Sequence, residues 1–387
     1  MMNKHANFSS TPVAIASVFI FFIFGTDVGF AADHKTLGEH ESEQHRFKAV
    51  RLADGLSHPW SLAFLPNGDL LITERPGRLR SFSNGALDPK PISGLPEVSA
   101  AGQGGLLDVA VHPDFVNNQL IYFTYSASNW RGAGTQLARA QLENHTLKNL
   151  EVLFVAQPQS RGGRHFGSRI VFAPDGFLYL TLGDRGKRES AQDLSGHTGS
   201  LIRLNHDGTV PGNNPFVNQN NTRAEIYSYG HRNMQGLAVQ PETGLLWSHE
   251  HGPQGGDELN IARTGVNYGW PVITYGRNYG SGTKIGEGTK KAGMQQPVYY
   301  WVPSIAPSGM AFYTGNAFPN WNGNLFIGSL KFRHLVRLQL EGETVVKEEV
   351  LLAKELGRIR DVRSGADGFI YLLTDADNGV LVRLEPI

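Results

Sequence analysis

Pro174-Asp175-Gly176-Phe177-Leu178-Tyr179-Leu180 decides the fold, because the same turn-then-strand pattern occurs six times along the chain. It returns at Pro66-Asn67-Gly68-Asp69-Leu70-Leu71-Ile72, at His112-Pro113-Asp114-Phe115 leading to Leu120-Ile121-Tyr122-Phe123, and at Pro241-Glu242-Thr243-Gly244-Leu245-Leu246-Trp247. The last two copies are Asn322-Gly323-Asn324-Leu325-Phe326-Ile327 and Ala366-Asp367-Gly368-Phe369-Ile370-Tyr371-Leu372. Asn-Gly and Asp-Gly adopt the positive φ that tight hairpins demand, and the Leu, Ile, Tyr and Phe behind them suit a half-buried strand. From residue 32 onward six repeats share the chain at roughly 59 residues each, enough for a four-stranded sheet and a generous loop. The spacing predicts an all-β, six-bladed β-propeller with four-stranded antiparallel blades; repeated hairpins in a sandwich pair or a barrel are the alternative. No helical period runs for more than a few turns, and the best, Val345 to Leu356, reads equally as a strand with a turn.

Composition narrows the function classes. With 35 Lys+Arg against 35 Asp+Glu in 387 residues, the chain has no global field to attract nucleic acid or an anionic membrane. Its 46 Gly and 20 Pro exclude a helical bundle, and 40% hydrophobic residues exclude disorder. Lys4, the apolar run Val13 to Phe24 and the small-x-small pattern Gly29-Phe30-Ala31 read as a cleaved secretory leader over 1–31, too short to span a bilayer. The expectation is an exported protein, periplasmic or secreted, with one propeller domain over 32–387 and no membrane span. It holds no cysteine, so disulfides, Cys-based zinc sites and Cys nucleophiles are excluded. P-loop, Gly-x-Ser-x-Gly, His-Glu-x-x-His and EF-hand patterns are absent as well.

What is left is histidine, carboxylate, arginine and lysine chemistry in long loops. Arg164-His165-Phe166-Gly167-Ser168 precedes one predicted strand and Leu182-Gly183-Asp184-Arg185-Gly186 closes the next, so a hairpin can bring His165 to Asp184. A carboxylate on one ring nitrogen fixes the tautomer and frees the other as a general base; a loop histidine with a turn aspartate is the plainer reading. His231-Arg232-Asn233-Met234-Gln235-Gly236 offers fork-like donors ahead of a strand, or a solvated loop. His249-Glu250-His251-Gly252-Pro253-Gln254-Gly255-Gly256-Asp257-Glu258 offers carbonyls and carboxylates to a hard cation such as calcium. His249-x-His251 raises zinc as a rival, and a metal-free loop stays open. Leu330-Lys331-Phe332-Arg333 and Gly357-Arg358-Ile359-Arg360 are basic; alternation puts Arg358 and Arg360 on one side of a strand, suiting a polycarboxylate or simply an exposed face.

Together, the His231–Gly236 and His251–Glu258 strings, with His58-Pro59-Trp60 and Gly102-Gln103-Gly104-Gly105-Leu106-Leu107 before them, resemble the soluble quinoprotein aldose sugar dehydrogenases. These are six-bladed propellers that use pyrroloquinoline quinone (PQQ) and calcium. The resemblance covers nearly the whole chain after the leader. It implies His165 as general base, oriented by Asp184, with Arg232 beside the quinone oxygen where charge grows. Gln103, Arg232, Asn233, Lys331, Arg358 and Arg360 would hold PQQ and its carboxylates, and Gln235 would line the pocket. Gly252 and Pro253 would give carbonyls to the calcium next to PQQ, Glu258 and Tyr268 would resemble a second calcium site, and Trp301 an aromatic wall over the substrate. The implied reaction oxidises the C1 hydroxyl of an aldose to an aldonolactone by hydride transfer to the quinone, with electrons then leaving to an unknown acceptor. Sugar preference and the choice between monomer and homodimer stay open. A calcium-dependent sugar lactonase and a non-catalytic binding propeller are the alternatives; the first would need carboxylate and Asn ligands in place of the Arg/Lys cradle.

Overall fold

The computed structural model describes residues 1–2 and 34–387, so the leader expected over 1–31 lies, but for its first two residues, outside the described residues. From residue 34 onward six antiparallel sheets are arranged as blades, as the repeats predict. The first strands of the blades are Pro59–Phe64, Leu106–Val111, Ile170–Phe172, Met234–Val239, Pro307–Phe312 and Ile359–Ser364. Each packs against the first strand of the next blade and the sixth returns to the first, so they form the closed inner wall. Each repeated motif is the turn from this inner strand to the second strand of its blade.

The turn chemistry explains the repetition. Gly68, Gly176 and Gly368 sit at φ 89°, 86° and 85°. In each of these turns the glycine N–H donates to the carbonyl three residues back, Leu65, Ala173 and Gly365. The His112 turn has no glycine and instead closes through a short helix, Phe115–Asn118, capped by left-handed Gln119. The Val345–Leu356 segment is mainly strand, Thr344–Leu351.

Apolar residues collect between blades. Six clusters each straddle one blade-to-blade seam, such as Leu178, Leu180 and Ile202 against Tyr122 and Leu137. Fully burying such a side chain contributes about 1.5–3 kcal/mol, so the seams hold the ring together. The ring closes by a mixed last blade, in which Arg46–Leu56 pairs with the C-terminal Gly379–Pro386, register Ala49 to Leu384, and Lys35–Glu41 adds a fifth strand outside.

Near the axis the inner wall is charged. Asp108 lies 3.0 Å from Arg363 and 3.4 Å from Arg169, while Asp361 lies 2.9 Å from each arginine. Ser61 Oγ donates to Asp108 at 2.5 Å, and the Ile170 and Leu62 N–H groups donate to Asp108 and Asp361. Buried charges persist only when paired and hydrogen-bonded, and here two carboxylates meet two guanidiniums drawn from three blades. Arg169 also stacks 4.1 Å over the Trp60 ring, which forms part of the cavity above.

Candidate active site

A cavity of about 340 Å³ opens where the inner strands begin, lined by Trp60, Arg75, Gln103, Asn233, Gln235, Arg358, Arg360 and Asp375 among others. Five of the residues singled out in the sequence, Gln103, Asn233, Gln235, Arg358 and Arg360, therefore line one cavity.

His165 sits beside it, 7% exposed, on the loop entering the third blade. Its φ of 57° turns the ring back toward the end of the neighbouring strand, and its N–H donates to Gln103 Oε1 at 2.7 Å. Gly183 makes the approach possible: a Cβ there would strike the His165 carbonyl. His165 Nδ1 lies 2.6 Å from Asp184 Oδ1. Asp184 also accepts Gly186 N–H at 2.7 Å and Trp270 Nε1–H at 2.8 Å. Burial pushes the Asp184 carboxyl up, but the His165 hydrogen bond, Gly186 N–H and Arg232 outweigh it and hold it below the usual range. For His165, burial together with nearby Arg232 and Arg164 outweighs Asp184, and its basicity is lowered. The dyad is therefore a neutral imidazole with Nδ1–H on an ionised carboxylate. Nε2 has no hydrogen-bond partner among the described residues and can accept a proton.

Arg232 is buried behind the cavity wall, its Nη1 donating to the carbonyls of His251 at 3.0 Å and Gly252 at 2.9 Å, its guanidinium 5.4 Å from the Trp270 ring. Its backbone N–H donates to Glu250, which also accepts from His231 Nδ1 at 2.9 Å. A second, small void lies here, lined by Arg232, Glu250, Gly252, Gly256, Glu258 and Trp270. Burial pushes the Glu258 carboxyl well above its ordinary range and the Glu250 charge adds to the rise. Asp257 fixes the loop beneath, accepting Gly252 N–H at 2.8 Å, Ile305 N–H at 2.8 Å and Ala306 N–H at 2.9 Å, plus the Ser304 hydroxyl.

Other residues from the sequence reading stand elsewhere. Tyr268 stacks on His231 at 4.5 Å and donates its hydroxyl to the Ile261 carbonyl, so that hydroxyl does not join Glu258. Lys331 is exposed with its ammonium 5.1 Å from the Phe332 ring and does not line the main cavity. Trp301 is 5% exposed in the seam between the fourth and fifth blades, its Nε1–H donating to Glu348 at 2.7 Å, and does not line the cavity either. Pro253 follows Gly252 on the loop that Asp257 anchors and is buried.

Three contributors were not singled out from the sequence: the Trp270 N–H on Asp184, the axial charge network, and Asp375. Asp375 Oδ2 accepts from Arg358 at 3.1 Å and Arg360 at 3.0 Å, and Oδ1 lies 2.9 Å from His58 Nδ1. Burial opposes its ionisation, but Arg360, His58 and Arg358 hold the carboxyl far below its ordinary range. A signal for it exists in the repeat itself. Glu74, Asp184, Glu250 and Asp375 all end or closely follow the second strand of their blades, at the cavity end.

The family model described as glucose/sorbosone dehydrogenase matches residues 56–383. The chain belongs to that family. It is an enzyme of the sugar-dehydrogenase class. It is 46% identical to the aldose sugar dehydrogenase YliI of Escherichia coli (strain K12) over 87% of this chain and 92% of that one. It is 29% identical to quinoprotein glucose dehydrogenase B of Acinetobacter calcoaceticus over 88% of each chain. Among solved structures, the PQQ-bound form of the aldose sugar dehydrogenase from Streptomyces coelicolor superimposes with a TM-score of 0.73 at 29% identity, covering 87% of this chain and 96% of that one. The family resemblance and the propeller expected from the sequence are both borne out.

Proposed function

We propose that this dehydrogenase oxidises the C1 hydroxyl of aldose sugars to aldonolactones with PQQ and calcium, in an exported protein whose residues 1–31 are a cleaved leader. The observation that carries the reading is the His165–Asp184 pair, with Nε2 open, beside a cavity walled by amides and guanidiniums. The cofactor is supported by the relative solved with PQQ and by the chemistry of the donors. Arg358 and Arg360 give forks for carboxylates, Gln103, Asn233 and Gln235 give amides, and Trp60 and Phe166 give flat apolar surface. A planar tricarboxylate fits that donor set. A divalent ion fits the loop beside it: the carbonyls of Gly252 and Pro253, and the paired carboxylates of Glu250 and Glu258, are hard oxygen donors.

PQQ, when bound, supplies the acceptor for the C1 hydride. The chain's own part is positional and protic. His165 Nε2 takes the hydroxyl proton of the sugar, and Asp184 stabilises the imidazolium that results through the Nδ1–H bond already in place. Gln103, by holding the His165 backbone N–H, sets where that nitrogen points. Arg232, fixed by two carbonyls and by Trp270, presents positive charge that needs no rearrangement as negative charge develops. A lactonase would lack any use for this guanidinium cradle.

The test is reconstitution. Protein stripped of cofactor should be inactive and should regain aldose-dependent dye reduction only when PQQ and calcium are both added, with a change in absorption on binding. Activity in quinone-free, metal-free buffer, or restored by a nicotinamide cofactor, would sink the proposal.

A further inference from the structure

The cavity mouth carries an arc of positive charge, of which Arg164, beside His165, and Arg75, in the cavity lining, touch the site already described. Arg131, Arg161, Arg164 and Lys187 are exposed on the loops of the second and third blades that rise beside His165, with Arg75 and Arg188 half-exposed at its two ends. The loops touch one another continuously. Ala133 N–H donates to the Ser160 carbonyl at 2.9 Å, and Gln103 N–H to the Gly163 carbonyl at 2.7 Å. Arg75 donates to the Gly102 carbonyl, and Arg185 beneath donates to the carbonyls of Gly162 and Arg164. Segments 75–77, 100–104, 129–132 and 159–165 contain no carboxylate, and 185–190 contains Glu189 alone. None of the six cations forms an ion pair within 4.0 Å among the described residues, whereas Arg358 and Arg360 across the cavity share Asp375. In a chain of zero formal net charge this is a local excess, not a global one.

Within the arc stands Trp130, 77% exposed, with the Arg131 guanidinium 4.6 Å from its ring. An aromatic and an arginine standing out of a polar rim are the residue types that anchor protein interfaces. A small anion would need only a pocket; cations spread over loops of three blades match an extended acidic surface, and their place at the mouth puts that surface beside the redox centre.

We propose that this arc, centred on Trp130 and Arg131, is the docking surface for an acidic one-electron redox protein that removes the electrons left by sugar oxidation. Each aldose oxidised leaves two electrons and two protons. Two successive encounters carry away one electron each, and the protons pass to water, one of them by way of His165. The step rests on the redox function proposed above, while the docking itself does not need the cofactor.

The experiment uses cytochrome b5 as an acidic haem probe and cytochrome c as a basic one. Binding to the cofactor-free protein is measured at ~20 and ~200 mM salt, then haem reduction is followed with sugar and the reconstituted enzyme. Cytochrome b5 should bind, should lose affinity more than tenfold at the higher salt, and should outcompete cytochrome c, anionic vesicles and DNA. Arg131→Glu/Arg161→Glu/Lys187→Glu should weaken cytochrome b5 binding and haem reduction at least tenfold and leave dye-linked turnover unchanged; the corresponding Lys/Lys/Arg variant should restore both. Trp130→Ala should cost about tenfold. Undiminished binding by the triple Glu variant, equal binding of cytochrome c, or preference for vesicles or DNA would overturn the assignment. Loss of dye-linked sugar oxidation with docking intact would instead overturn the proposed redox function.

Discussion

On one side of the cavity Arg358, Arg360 and His58 converge on the single carboxylate of Asp375; on the other, Asp184 receives one imidazole, one backbone N–H and one indole N–H. Both carboxylates stand just past the second strand of a blade, so the repeat delivers the same group to both places. What differs is the company. Two guanidiniums, which stay protonated, share Asp375 with His58 and make a fixed charge pattern. The neutral donors on Asp184 leave one titrating partner, His165, and a site suited to proton transfer. One side is built to hold, the other to react.

The largest break should come on the reacting side. His165→Ala is expected to lower turnover by about 10²- to 10⁴-fold while PQQ affinity, measured by titration, barely changes. Near-normal turnover would move the base to another residue.

The holding side should respond in the opposite way. Arg358→Ala should weaken PQQ binding by roughly 10- to 150-fold with turnover at saturating PQQ preserved. Arg232→Ala should lower turnover by a similar factor that excess PQQ does not rescue, because its contact strengthens as charge develops. If saturating PQQ restored Arg232→Ala fully, both arginines would belong to the holding side.

A subtler change sharpens the contrast. Trp270→Phe keeps a ring under Arg232 but removes the N–H on Asp184 Oδ2. The carboxylate's charge then falls more heavily on His165, raising its pKa, so the acid limb of the kcat/KM profile should move to higher pH by about half to one unit, with a rate loss of about tenfold or less. An unmoved limb would reduce Trp270 to packing. The groups facing His165 that stay constant in this comparison are Arg232, Arg164 and His251.

The smallest effect should be read in stability. Asp375→Asn leaves Arg358 and Arg360 without their shared anion and removes the carboxylate on His58, a loss of about 1–3 kcal/mol. Because the folded carboxyl is held far below its ordinary range, its contribution is complete above the unfolded value near ~4 and fades as pH falls through the folded one. The gap in Tm between variant and parent should be constant from pH 7 to about 5 and narrow below about 4; a gap that widened in acid would contradict the pairing.

Much of this was legible from residue order. The six turns fix blade number because each is local, and His165 with Asp184 follows from pairing consecutive strands. Asp375 stands where Asp184 does in its own blade, so the same positional rule and strand pairing point to it and to Arg358 and Arg360; only its partner His58 comes from the far end of the chain. The axial network was illegible because Asp108, Arg169 and Asp361 meet only once the ring closes. Trp301 and Lys331 show the converse, since a motif string places a residue along the chain without saying which way its side chain turns.

Ring closure has a further consequence in time. Arg46–Leu56 can zip onto Gly379–Pro386 only after the five intervening blades' worth of chain has been made, and the Arg358–Asp375–His58 cluster cannot assemble before residues 358–375 exist. Loop closure over nearly the whole chain is slow, and until it happens two blade edges lie open to other chains. Until those distant segments meet, one side of the cavity lacks its His58–Asp375 contact, so completion of the ring must precede completion of the candidate site.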